Sequence, residues 1–145
     1  MRIYLDNCCF NRPFDNQSNI RVKLETDAKL HVQLLIREGK LELAWSYILD
    51  FENDANPFLE RKYTIEKWRQ LSIVDVIENN NILSKAAIFV KKGIRSKDAL
   101  HLASAIEAKC EYFLTTDDLI HKKMKGIDEI GVFNPIEFIE IIETL

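Results

Sequence analysis

The sequence predicts one three-layer α/β/α domain, residues 1–145, built on a mainly parallel sheet of four to five strands. Three observations predict it. Short runs rich in β-branched and aromatic residues alternate with longer stretches of helical periodicity, the pattern of strands joined by crossover helices. The chain has no repeats, low-complexity tracts or linkers, and a domain of this length can bury roughly two-thirds of its unfolded surface in one core. Hydrophobic residues make up 47% and charged residues 30%, with 4 Gly and 3 Pro, a composition that folds throughout.

Arg2 to Leu5 reads as a first strand that ends on the carboxylate of Asp6. Asn7 to Asn19, with Arg12-Pro13 and many Asx residues, reads as loop. Ile20, Leu24, Ala28, Val32, Leu35 and Ile36 then recur at helical spacing up to Gly39, a natural residue to follow a helix end. Leu41 to Trp45 is a second strand. Ser46 is placed to cap a helix carrying Leu49, Phe51 and Glu52, which Asn56-Pro57 perturbs or ends. A further helix covers Leu59 to Gln70, Leu71 to Ile77 is a third strand, and Ile82 to Lys92 is a helix closed by Gly93.

Ser96 is the expected cap of the clearest helix, Lys97 to Lys109, whose Ala99, Leu100, Leu102, Ala103 and Ile106 face a core. Tyr112 to Thr115 is a fourth strand leading into Thr116-Asp117-Asp118, and Leu119 to Lys125 is a short helix. Glu129 to Phe133 makes a fifth strand. Pro135, a favoured first helical residue, opens a terminal helix to Leu145.

No apolar run approaches the ~20 residues that span a bilayer, and the opening segment meets Asp6 too early for a signal peptide, so a cytoplasmic protein with no membrane partner is expected. The three cysteines agree with a reducing compartment: Cys8 and Cys9 are adjacent and poorly placed to bridge each other, and Cys110 is distant. With no CxxC pair, and with His31, His101 and His121 scattered, a zinc site has little support. The net charge of −3 argues against a nucleic-acid binder unless the basic residues gather locally.

Ligands of an open parallel sheet bind beyond the carboxyl ends of its strands. Asp6 and Asp117 fall at such ends, Glu52 is early in the helix after strand two, and Asp98 is in the first turn of its helix. All four can therefore face one rim. Crowded carboxylates repel, so such a cluster suits a divalent cation, and oxygen-only ligation favours Mg²⁺ or Mn²⁺ over zinc. A cation there can activate water, orient a phosphate and neutralise a leaving oxygen, which is phosphodiester hydrolysis. Each acid also has a structural reading: Asp98 as a helix-dipole partner, Asp6 as a turn former, Asp117-Asp118 as a cap, and Glu52 with Asp50 and Asp54 as rivals.

Arg12, Arg95 and Lys97 are the candidate substrate-binding cations, the last two because they flank Asp98; the paired lysines Lys91-Lys92 and Lys122-Lys123 read as solvated partners of helix ends. His101, one turn after Asp98, could serve as a general acid or be satisfied in the core against a carboxylate. Trp45 and Trp68 read as core or interface residues.

Ile3-Tyr4-Leu5-Asp6, Lys97-Asp98-Ala99-Leu100-His101-Leu102-Ala103-Ser104-Ala105 and Tyr112-Phe113-Leu114-Thr115-Thr116-Asp117-Asp118 together resemble the PIN-domain ribonucleases, whose commonest bacterial members are VapC-type toxins. The resemblance runs over essentially the whole chain. It implies a parallel sheet with flanking helices, a Mg²⁺ or Mn²⁺ site of three or four acids, and frequent homodimerisation. Asp6, Asp98 and Asp117 match the family's acids, and Thr115 matches the hydroxyl residue that supports them. Asn7 and Asp118 stand beside two of the acids as further supporting candidates. The family's Glu follows a Ser after strand two, which Ser46 and Glu52 satisfy with Asp50 as a competitor. Asn7 to Asp15 departs from the usual apolar helix start and marks a subfamily with its own loop beside the site.

The function so implied is a metal-dependent endoribonuclease with an RNA substrate, the toxin of a toxin–antitoxin pair with a cognate antitoxin as partner. The alternatives are a housekeeping RNA-processing or DNA-directed nuclease of the same fold, and a non-catalytic receiver-like α/β module. A receiver wants an acidic pair after strand one and a lysine ending a late strand, whereas Asn7 follows Asp6 and Asn134-Pro135 follows the last strand.

Overall fold

Ile3, Tyr4 and Leu5 have no solvent exposure at all. They form β1 (Arg2–Leu5), the middle strand of the sheet in a computed structural model that describes residues 1–144. The chain continues through α1 (Asn7–Asn11), a 3₁₀ turn (Arg12–Phe14), α2 (Ile20–Arg37), β2 (Glu42–Ser46), α3 (Tyr47–Asp54), α4 (Leu59–Arg69), β3 (Val74–Val76) and α5 (Asn80–Lys91). It ends with α6 (Ser96–Glu107), β4 (Tyr112–Leu114), α7 (Asp118–Lys123), β5 (Gly131–Phe133) and α8 (Pro135–Glu143).

All the strand pairs are parallel, in the order β3-β2-β1-β4-β5. Tyr4 lies opposite Ala44 on one side and Phe113 on the other. Helices cover both faces, with α5 packed on α6 and α2 on α8, so the central strands are buried on two sides and read as continuous apolar runs. The three-layer parallel architecture is therefore the one expected. Its order changes direction between β1 and β4, and a crevice opens at that switch point. Among the described residues, no helix is long and apolar enough to cross a membrane.

Four local expectations are corrected. Residues 7–14 are helical rather than loop, because the Asp6 side chain accepts the Asn7 N–H at 2.8 Å and the first turn buries Cys9 and Phe10. The cap residue before α6 is Arg95, which makes no side-chain capping bond, and Ser96 is already helical. That helix stops at Glu107, and Lys109 takes the left-handed conformation at φ 60°. The third strand shrinks to Val74–Val76 because it is the sheet's edge: Leu71, Ile73 and Ile77 are exposed with no further strand to cover them. The predicted end of the terminal helix, Leu145, lies outside the described residues.

Other signals are met as read. Ser46 Oγ accepts the Leu49 N–H at 3.3 Å, and Gly39 and Gly93 take φ values of +74° and +93° after their helices, which a side chain would strain. Trp45 and Trp68 are both in the core. Trp45 donates to Asp50 Oδ1 at 2.9 Å, and Lys29 and Arg37 lie over the Trp68 ring.

Candidate active site

The switch-point crevice is a cleft of about 490 Å³ lined by Asp6, Asn7, Cys8, Glu52, Arg95, Ser96, Lys97, Asp98 and Asp117. Four acids from four segments thus share one wall, although they lie up to 111 residues apart in the chain. Asp50 does not: it is held away by Trp45 and by Arg69 at 3.6 Å, so Glu52 is the acid of α3 that faces the cleft.

Asp6 is nearly buried and both of its oxygens are held. Oδ1 accepts the Asn7 N–H at 2.8 Å, and Oδ2 accepts the Thr115 hydroxyl at 2.8 Å. Thr115, fully buried, also accepts the Asp117 N–H at 3.1 Å, so one hydroxyl fastens the acid after β1 to the loop carrying the acid after β4. Cys8 Sγ lies 3.5 Å from Asp6 Oδ2 and 3.4 Å from Thr115 Oγ1.

Glu52 accepts from Asn7 Nδ2 at 3.0 Å through Oε2 and meets His101 Nε2 at 2.5 Å through Oε1. Burial works to raise its pKa, but the hydrogen bond from His101, with Lys97 and the Asn7 bond, outweighs that and holds it below the usual carboxylate range. Asp98 goes the other way. Burial, reinforced by the charges of Asp6 and Asp117 and opposed by Arg95, pushes it up to about 6. Asp117 Oδ1 caps α7 through the Leu119 N–H at 2.9 Å, which is its structural reading, while its side chain also lines the cleft.

Arg95 sits at the rim, 3.5 Å from Asp98 and 3.3 Å from Asp117, an exposed cation drawn in between two acids. Lys97 also lines the cleft, with its ammonium over the Phe51 ring at 5.6 Å. Two other candidates lie elsewhere. Arg12 grips the wholly buried Glu25 at 2.8 Å and Asp15 at 3.2 Å, and does not line the cleft. Asp118 makes a paired contact with Arg21, two bonds of 2.8 Å, on the outer surface.

Oxygen donors dominate the cleft, with an excess of negative charge that adds to burial in raising Asp98 and attracts Arg95, and this chemistry suits a hard divalent cation. As the side chains stand, no three His, Cys, Asp or Glu residues among those described close into a metal cage. Their oxygens are turned to protein donors around an open wall. Asp6, Asp98 and Asp117, with Glu52, are the residues that would hold a cation.

His101, from its place one turn after Asp98, could be a general acid or a buried partner of a carboxylate. The structure places it fully buried between Tyr4 and Glu52. Its i,i+3 spacing from Asp98 was the one available signal, since both partners come from other elements.

The model of the PIN domain matches residues 3–126, and the chain belongs to this family. PIN domains are nucleases, so the receiver-like reading is set aside. Solved structures share the fold, two VapBC structures among them. The structure of VapBC-1 from nontypeable Haemophilus influenzae matches at TM-score 0.60 and 15% identity, over 93% of this chain and 98% of that one. The crystal structure of VapBC2 from Rickettsia felis, bound to a DNA fragment from its promoter, matches at TM-score 0.56 and 17% identity, over 92% and 98%. No curated protein matches the chain.

Proposed function

We propose that this chain is a Mg²⁺- or Mn²⁺-dependent endoribonuclease and the toxin of a toxin–antitoxin pair. The observation that carries it is the convergence of Asp6, Glu52, Asp98 and Asp117 on one cleft at the sheet's switch point. A bound divalent cation would supply an activated water and charge neutralisation at the scissile phosphate. The chain supplies the rest. Thr115 holds Asp6, and Asn7 holds Glu52, at the wall of the cleft where a cation would sit. Arg95 and Lys97, at the rim, are the cations able to meet the phosphates flanking the scissile bond.

That local pair answers the acidic net charge, since a nuclease needs its positive potential at the cleft and not over the whole surface. The toxin role and an antitoxin partner are supported by the likeness to two structures whose names are VapBC. The test is cleavage of mixed single-stranded RNAs and DNAs by purified protein with Mg²⁺, with Mn²⁺ and with EDTA, beside growth of cells expressing wild type or Asp6→Asn. Cleavage of RNA that EDTA abolishes, with growth arrest relieved by Asp6→Asn, is expected. Undiminished activity in EDTA sinks the metal reading, preference for DNA moves the assignment to a DNA-directed nuclease, and equal toxicity of the two forms removes the catalytic toxin.

A further inference from the structure

Tyr4, Ser46 and His101 come from β1, β2 and α6, and none has any solvent exposure. Their polar atoms are joined in series. Leu49 N–H donates to Ser46 Oγ at 3.3 Å, Ser46 Oγ and Tyr4 OH are 2.6 Å apart, and Tyr4 OH and His101 Nδ1 are 2.6 Å apart. On the other side of the ring, His101 Nε2 is 2.5 Å from Glu52 Oε1. A continuous path of hydrogen bonds therefore runs from the cap of α3 through the core and back to Glu52 on that same helix.

Counting donors gives the path a direction. The Leu49 N–H already donates to Ser46 Oγ, so the Ser46 proton goes to its other neighbour, the Tyr4 oxygen. The Tyr4 hydroxyl then donates to His101 Nδ1, which must accept, and the ring proton that faces Glu52 is on Nε2. Every proton has one acceptor and none is left over. A doubly protonated ring would reverse Tyr4 and Ser46: Ser46 Oγ would accept from both the Tyr4 hydroxyl and the Leu49 N–H, and its own proton would be left without an acceptor.

We propose that Ser46, Tyr4 and His101 form a one-way hydrogen-bond chain, with His101 as the neutral Nε2–H tautomer, that positions Glu52 for the divalent cation. This rests on the reading of the four acids as a cation site. His101 is a positioning residue: it touches Glu52 and lies 3.9 Å from Asp6. A neutral donor fixes the carboxylate without cancelling its charge, so the full negative charge of the cleft stays available to a cation. An imidazolium would form an internal ion pair and compete with it. A buried polar chain contributes little net stability over packed apolar side chains, whereas holding a ligand carboxylate in one orientation is what such outer partners do for metal sites.

The experiment compares wild type, Tyr4→Phe, His101→Gln and His101→Leu at pH 7.5. The imidazole nitrogens are read by ¹⁵N NMR in EDTA, Mn²⁺ affinity by titration calorimetry, and folding by thermal melting. Tyr4→Phe retains the ring that stacks on Phe113 at 5.3 Å, so it keeps the fold even if His101→Leu does not. The expected results are a wild-type His101 protonated on Nε2 alone, and a Mn²⁺ dissociation constant raised about 10-fold in Tyr4→Phe. His101→Gln, which can still offer Glu52 an N–H, should recover part of what His101→Leu loses. An Nδ1–H or doubly protonated ring overturns the chain's direction, and unchanged Mn²⁺ affinity in Tyr4→Phe overturns the positioning role. If wild type binds no Mn²⁺, the cation reading fails and the positioning role falls with it, while the NMR result still decides the chain by itself.

Discussion

Thr115 Oγ1 donates to Asp6 Oδ2 across 2.8 Å, and this bond ties together the ends of the neighbouring strands β4 and β1. Valine has the shape of threonine without the hydroxyl, so Thr115→Val leaves a nearly buried carboxylate with one partner fewer and orphans the Asp117 N–H. A hydrogen bond to a charged group contributes about 1.5–3 kcal/mol, and a loss of that size in urea unfolding is expected. Thr115→Ser should stay near wild type. If valine and serine are equally stable, the bond carries nothing.

The clustered charge around Asp98 makes a second prediction. Burial and, with no cation, repulsion from Asp6 and Asp117 make its ionised form costly, so Asp98→Asn should raise the melting temperature in EDTA at pH 8 by ~2–6 °C, for a gain of about 1 kcal/mol. Mg²⁺ should then stabilise wild type more than the variant, because binding adds free energy only where the site is intact. Four melting curves decide it. A variant that melts lower in EDTA, with Mg²⁺ shifting both proteins equally, would make Asp98 a helix-dipole partner.

Arg12 was a candidate for RNA contact, yet its guanidinium is 2.8 Å from Glu25, whose side chain is wholly buried. Arg21 and Asn134 hold the same carboxylate at 3.2 and 2.5 Å. Removing one partner of a buried ion costs ~3–5 kcal/mol, so Arg12→Met should destabilise by an amount approaching that range, moderated by the partners that remain. Cleavage by the folded variant should be unchanged. A variant as stable as wild type but with a raised KM for RNA would return Arg12 to the substrate surface.

Lys29 gives the pH dependence. Its ammonium is buried over the Phe10 and Trp68 rings at 5.4 and 5.8 Å, and burial lowers its pKa to about 7, helped slightly by Arg37 and opposed by Cys9. The unfolded chain keeps this proton up to about pH 10.4. Between those values the unfolded state binds more protons, so this group makes stability rise with pH from about 7 to about 10; below 7 its cost is full and constant. Lys29→Met keeps the stem and removes the charge. It should gain ~2–4 kcal/mol over wild type at pH 6.5, shrinking towards zero near pH 10. A gain independent of pH in urea unfolding would mean that Lys29 is neutral or solvated throughout.

The parallel sheet, the helix order and the acids Asp6, Asp98 and Asp117 were legible in the chain itself, because each depends on local periodicity, on a cap or on its place at the end of a strand. Gly39 and Ser46 acted as read for the same reason: a helix end is decided within a few residues. The choice of Glu52 over Asp50 was not local. Both lie in α3, two residues apart, and what separates them is Arg69 and Trp45 drawing one outward while Asn7 and His101 hold the other in the cleft. Arg12 and Asp118 went the other way for a like reason: each met an opposite charge on α2, Glu25 or Arg21, that no spacing in the sequence announces. Long side chains choose among partners by proximity after the fold has formed, so the positions of the acids came from the sequence, and their orientation and protonation came only from tertiary packing.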